Sequence, residues 1–206
     1  MAGPLPPLVG GMSTVIEDLS RSSLAREVDL VLFDTRKPTR EGRHLVEALG
    51  ARLRLWRAWW ASLGGTGRAN RRRTIAHIHT CSGLSFFLHT AYLLLARLRQ
   101  VPVVLHVHGA GFDAFLAGRG PVPGALVRWA ARRAARVVLL CEEWWCRLAP
   151  RLPGARLAVI ENGIAALPAF AGTAAGADGT IRVRFLGNLG RRKGVSELLQ
   201  AVAALP

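Results

Sequence analysis

Residues 74–107, TIAHIHTCSGLSFFLHTAYLLLARLRQVPVVLHV, decide the fold. Thr74–His79 alternates as a strand, Cys81-Ser82-Gly83 is turn chemistry, and Leu84–Leu98 carries helical spacing. Val103–Val107, entered through Pro102 and stopped by Gly109, is a second apolar strand. Two strands joined by a helix of this length predict a parallel pair with a crossover connection. Thr74–Ala96 is also the longest charge-free run, long enough to test as a membrane span. Its His77, His79, Thr80, Ser82, Ser85, His89 and Thr90, with the turn between them, favour a buried strand followed by a buried helix.

Working outward, the alternation continues on both sides. Met12–Ala25 and Arg40–Leu49 have helical spacing, Val28–Phe33 is a short β-branched run, and Leu53–Leu63 is an amphipathic helix candidate. Pro121–Ala135 reads as a helix with proline near its start. Val137–Leu140 and Leu157–Ile160 are strands, with Glu142–Leu148 a short helix between them. Ala165–Gly179, poor in charge and rich in Ala, Gly and Pro, is linker-like, and Ile181–Leu186 and Val195–Leu205 form one more strand and helix. The pattern predicts an α/β fold on a parallel sheet. The expected division is a first domain at 1–163, a linker at 164–180 and the start of a second domain at 181–206. The chain opens on a Gly/Pro loop, the strand that should precede it being missing or replaced by Met1–Gly3, and closes one strand and one helix into the second domain. Truncation at both ends is therefore expected.

The composition agrees with a globular chain. Of 206 residues, half are apolar and a fifth charged, which is enough for a core. The formal charge of +15 invites a nucleic-acid reading, but 26 of the 28 basic residues are Arg and they are scattered from Arg21 to Arg192. Such a bias, beside 31 Ala and 22 Gly, fits a compositional background. The firm implication is attraction for anions: phosphates, nucleotides or acidic lipid surfaces. Three cysteines, Cys81, Cys141 and Cys146, exclude a disulfide framework as the organising principle and point to a reducing compartment.

Four constellations carry chemistry. Gly10-Gly11-Met12 runs into a helix, where bare backbone N–H groups approach a phosphate; an ordinary flexible loop has the same look. His106 and His108 share one strand face, and His108 stands at the carboxyl end, where open α/β sheets bind ligands. Asp113, after Gly109 and Gly111, either orients a group there or caps the next short helix. His77-x-His79 and His106-x-His108 also suggest a metal on neighbouring strands, but no later His and no carboxylate or thiolate cluster completes the set, so no metal is expected. Gly187 to Val195 places Arg191, Arg192 and Lys193 where a helix dipole disfavours cations, a conflict that a bound diphosphate removes. Finally, Leu53, Trp56, Trp60 and Leu63 share a helix face, flanked by Leu55 and Trp59 and opposed by Arg54 and Arg57. That composition suits either a core-facing helix or docking on an anionic bilayer.

These segments together resemble glycosyltransferase family 4, retaining enzymes of the GT-B fold, especially those building bacterial exopolysaccharides. The Gly10-Gly11-Met12 loop is similar to the family's N-terminal glycine loop beside the donor diphosphate. His77-Ile78-His79-Thr80 resembles its "HIHT" strand end, and His106 to Asp113 its HGxGFD segment, whose His approaches the donor sugar. Val138 to Trp144 resembles "vLSeeW", with Cys141 in the usual Ser position, and Ile160 to Ile164 resembles "PNGi". Gly187 to Gly194 resembles the "GRxxxxKG" donor loop, with Lys193 in register and Asn188 where the family has Arg. The family's second-domain Glu-x7-Glu region lies beyond Pro206.

The resemblance implies two Rossmann-like domains and transfer of a hexose from a nucleotide-sugar donor to a glycan or polyprenyl-linked acceptor. No cofactor or metal is implied. His108 is the expected catalytic residue, Gly10, Gly11, Gly187, Asn188, Arg192 and Lys193 bind donor, and Asp113 positions acceptor. Trp56, Arg57, Trp59 and Trp60 are expected to dock on the inner face of the cell membrane, the enzyme being otherwise cytoplasmic. As a fragment the chain is expected to be inactive. Two other readings remain at this level: a non-enzymatic basic module for anionic membrane or nucleic acid, although no specific nucleic-acid motif is present, and a metal-dependent hydrolase on the two His-x-His pairs.

Overall fold

The computed structural model describes residues 1–7, 10–36, 45–64, 73–109, 111–118, 120–163, 183–187, 189 and 193–205. They belong to two compact units, Met1–Ala165 and Ala166–Pro206. The first unit holds a six-stranded, all-parallel sheet of β1 (Ala2–Gly3), β2 (Phe33–Asp34), β3 (Ala76–Thr80), β4 (Val103–Val107), β5 (Arg136–Leu139) and β6 (Leu157–Val159). Its order is β2-β1-β3-β4-β5-β6. From β1 the chain moves to one side, then returns to build the rest of the sheet on the other. The switch point of this Rossmann-like sheet therefore lies between β1 and β3, where such folds leave a ligand crevice at the carboxyl edge.

The connecting helices are α1 (Gly11–Arg21), α2 (Leu24–Glu27), α3 (Leu45–Ser62), α4 (Leu84–Leu98), α5 (Phe112–Ala117), α6 (Pro121–Arg133) and α7 (Glu142–Leu148). One face of β3 and β4, made by Ala76, Ile78, Val103, Leu105 and Val107, joins the main core with Trp59 and Leu63 of the α3 segment, Phe86, Tyr92 and Leu93 of α4, and Val127 of α6. Each large side chain so buried stabilises the fold by roughly 1.5–3 kcal/mol. The opposite face of the same two strands carries His77, His79 and His106.

Several expectations are corrected. Of the two options for the first strand, missing or replaced by Met1–Gly3, the second holds: it is present as β1, whose two small residues are too few to register as a periodicity. They are small for a reason: a Cβ at Gly3 would overlap Ile16 Cδ1 of α1 and lie 3.2 Å from His79 Cβ. β2 is limited to Phe33–Asp34, an edge strand that among the described residues pairs with β1 alone; Val28, Val31 and Leu32 stay exposed. The separate helices expected at 40–49 and 53–63 are one helix, α3, running through Gly50. A mid-helix glycine costs about 1 kcal/mol, less than burying Ala51, Trp59 and the following Leu63 returns. In the second unit, Val183–Leu186 form no strand, and Leu186 is fully exposed. A helix, α8 (Val195–Ala203), follows Gly194, whose φ of 76° suits glycine. The expected linker at 164–180 lies outside the described residues. Among those described, no helix is long and apolar enough to cross a membrane.

Candidate active site at the carboxyl edge of the sheet

The loop after β1 is tied down from β2. Asp34 and Arg36 form a close pair, with Nη2–Oδ2 at 2.7 Å, and Arg36 Nη2 also donates to Pro6 O at 3.3 Å. Partial burial raises the Asp34 carboxyl, but the bonds and charge of Arg36 outweigh it and leave it below the usual value. Arg52 of α3 donates to Thr35 O at 3.2 Å, bracing the same corner. The bracing role of Arg36 and Arg52 was not legible in the sequence, because the Pro6 and Thr35 backbone oxygens they reach are announced by no motif. The braced loop delivers Gly10 and Gly11 to the start of α1. Gly10 O accepts from Thr14 N at 3.0 Å and from Ser13 Oγ at 2.9 Å. The first turn of α1 holds no acidic residue, and a Cβ on Gly10 or Gly11 would meet no described atom within 4 Å. Among the described residues nothing requires glycine there; the N–H groups and positive dipole end of α1 suit an anion.

On β3 and β4 the in-register pair His79 and His106 brings two His-x-His segments side by side. His79 Nδ1 lies 2.9 Å from His108 Nε2, and His77 Nε2 lies 3.2 Å from His106 Nδ1. In each pair one nitrogen donates and the other accepts, so the tautomers are coupled. Burial is the first cause that pushes all four imidazoles down, to about 4 at His77 and His108 and about 3 at His106, so they are neutral at ordinary pH. His108 also donates its backbone N–H to Thr80 O at 2.8 Å, which holds the strand ends together beyond the ladder. Gly109 allows this approach: a Cβ there would sit 3.0 Å from the Ser82 backbone nitrogen. The site thus places a neutral, oriented imidazole and an anion-receptive helix start at one edge of one sheet.

The remaining expected residues are distributed differently. Asp113 is the second residue of α5; its Oδ1 accepts from Ala114 N at 2.8 Å and its Oδ2 from Arg147 Nη1 of α7 at 3.2 Å. Those contacts, the backbone bond first, hold its carboxyl below the usual value. Lys193 and Gly187 belong to the second unit, Lys193 being exposed just before α8, and Asn188 and Arg192 lie outside the described residues. The docking set is corrected at Trp59, which is 4% exposed and donates Nε1–H to Tyr92 O at 3.1 Å, inside an aromatic cluster with Phe33. Trp56 packs against the same core, and Trp60 is half-buried under the Arg99 guanidinium, 3.9 Å from its ring centre. Arg57 is exposed. The inward face of α3 is rotated from the expected one, leaving Leu53 in solvent with Val46 and Leu49. Cys81, Cys141 and Cys146 are free thiols.

Residues 9–166 match the family model described as Glycosyltransferase Family 4. The searches of curated proteins and of solved structures returned no match.

Proposed function

Because the chain belongs to glycosyltransferase family 4, we propose that it serves transfer of a sugar, with retention, from a nucleotide-sugar donor to a glycan or polyprenyl-linked acceptor in polysaccharide biosynthesis. The observation that supports this most is the pairing, at the switch-point edge, of an α1 start free of acidic residues with an oriented neutral His108. Cleavage of the sugar–phosphate bond builds negative charge on the departing diphosphate. The α1 N–H groups, the Gly187–Lys193 loop with Asn188 and Arg192, and Lys193 itself are the groups proposed to stabilise it, with no metal in the transfer step. His108 hydrogen-bonds the migrating sugar and fixes its position. Asp113, already braced by Arg147, contributes to the acceptor side by positioning α5.

The test is release of nucleoside diphosphate by the full-length protein from a panel of nucleotide sugars, with lipid-linked glycans as acceptors. His108→Ala and Lys193→Ala are each expected to lower turnover by ~100-fold or more. Near-normal turnover in both variants overturns the residue roles. Failure of every nucleotide sugar to bind or turn over overturns the reading itself.

Peripheral docking on the inner face of the cell membrane is supported by a different set of residues from the tryptophans. Val46, Leu49 and Leu53 recur at helical spacing on the exposed side of α3, beside exposed Arg54 and Arg57. An apolar stripe beside cations suits an anionic bilayer. Flotation with phosphatidylglycerol vesicles tests it: Leu49→Glu with Leu53→Glu should abolish binding, and equal flotation of the variant sinks the idea.

A further inference from the structure

The histidine cluster has donor capacity that the transfer chemistry leaves unused. One ring nitrogen from each of His77, His79 and His106 lies within 4.8 Å of the others. The rings pack closely, with centroids 4.3 Å apart for His77 and His79 and 5.1 Å for His79 and His106. His79 Nε2 and His106 Nε2 are buried and have no hydrogen-bond partner among the described residues. Two orphaned imidazole nitrogens in one cluster are costly unless something accepts their lone pairs or protons. His108, 2.9 Å from His79, stands next to the set as a fourth imidazole. His77 is only half-buried, which gives an ion a path to the cluster.

We infer that His77, His79 and His106 form a binding site for a late first-row divalent cation, Zn2+ by preference, on the face of β3 and β4 opposite the main core. An all-imidazole set without a carboxylate matches zinc, cobalt, nickel or copper and not magnesium or calcium. Ligand bonds of about 2.0–2.1 Å in a tetrahedral set put donor nitrogens roughly 3.3 Å apart, so the rings turn inward by on the order of 1 Å on binding. The site shares His79 with the contact that aims His108, but it is read by metal binding and not by turnover, so its failure and that of the proposed transfer reaction are distinguishable.

The experiment uses the full chain without a histidine tag, stripped with chelator and titrated with Co2+ alone. One equivalent is expected to develop the intense ligand-field absorption of a tetrahedral ion, to be displaced by Zn2+, and to raise the urea midpoint. His77→Gln and His106→Gln, checked for folding by circular dichroism, should each weaken binding by at least ~10-fold. His89→Asn, on α4 outside the cluster, should bind normally. Absence of the Co2+ spectrum in the wild-type chain overturns the site. So does equal Co2+ affinity in the wild type and both folded glutamine variants. Should His106→Gln fail to fold, the half-exposed His77→Gln decides alone.

Discussion

At the scale of single residues, His108 shows how a motif residue depends on a partner. Its ring is aimed by His79, which is fully buried on the neighbouring strand. His79→Gln, which keeps polar atoms but loses the ring, is expected to lower turnover through His108 by roughly 10–100-fold, with KM for donor changing less than kcat. Comparison of the kcat and KM changes checks this, and an effect confined to KM would speak against a positioning role. His89 is a cleaner probe of burial. Its ring sits on α4 with Nδ1 3.1 Å from Thr80 Oγ1, and burial first, then the Arg52 charge, lowers it to about 4. Between its unfolded value near 6.5 and about 4, the unfolded chain takes up a proton that the folded chain refuses. Its stabilising contribution is therefore complete above the unfolded value and declines as pH falls through that window. Urea midpoints measured across it should drop for the wild type. His89→Asn should flatten the slope by up to ~1.4 kcal/mol per pH unit. Parallel slopes would contradict the assignment.

At the scale of elements, β1 and α3 separate packing from function. Gly3→Ala forces a methyl against Ile16 and His79 in a closed layer and should cost about 1–3 kcal/mol, read as a lower urea midpoint. Gly10→Ala meets no described atom within 4 Å and, as an N-cap change, should cost no more than about 1 kcal/mol while weakening donor binding, which calorimetry with a nucleotide sugar detects. On α3, Trp59→Ala should destabilise by about 3–5 kcal/mol, as expected for a core aromatic. The α3 face was misjudged in the sequence for a definite reason. Leucine and tryptophan recur so densely over Leu53–Leu63 that periodicity allows more than one inward face. The choice falls to the face that lets Trp59 reach Tyr92 and Phe33.

At the scale of the molecule, the formal charge of +15 has no single destination. Part braces the site corner through Arg36 and Arg52, part joins α5 to α7 through Arg147, and part faces solvent on α3 beside exposed leucines. Most of these arginines hold backbone oxygens or surface carboxylates, contacts of modest energy individually. Vesicle binding through the α3 stripe should weaken with added salt, while the urea midpoint at fixed pH should change little.

The amino-acid order by itself determined the parallel α/β character, because near-continuous apolar strands alternating with helices leave few other solutions. It also placed the two His-x-His segments at the ends of two successive strands. What it left open was the register that sets His79 against His106 and the strand order that makes the switch point. It also left open β1, and which tryptophan is core. Those depend on contacts between segments about thirty or more residues apart, such as His79 with His108 or Trp59 with Tyr92. Local periodicity encodes which side of an element is apolar, and only the packed sheet decides what that side meets.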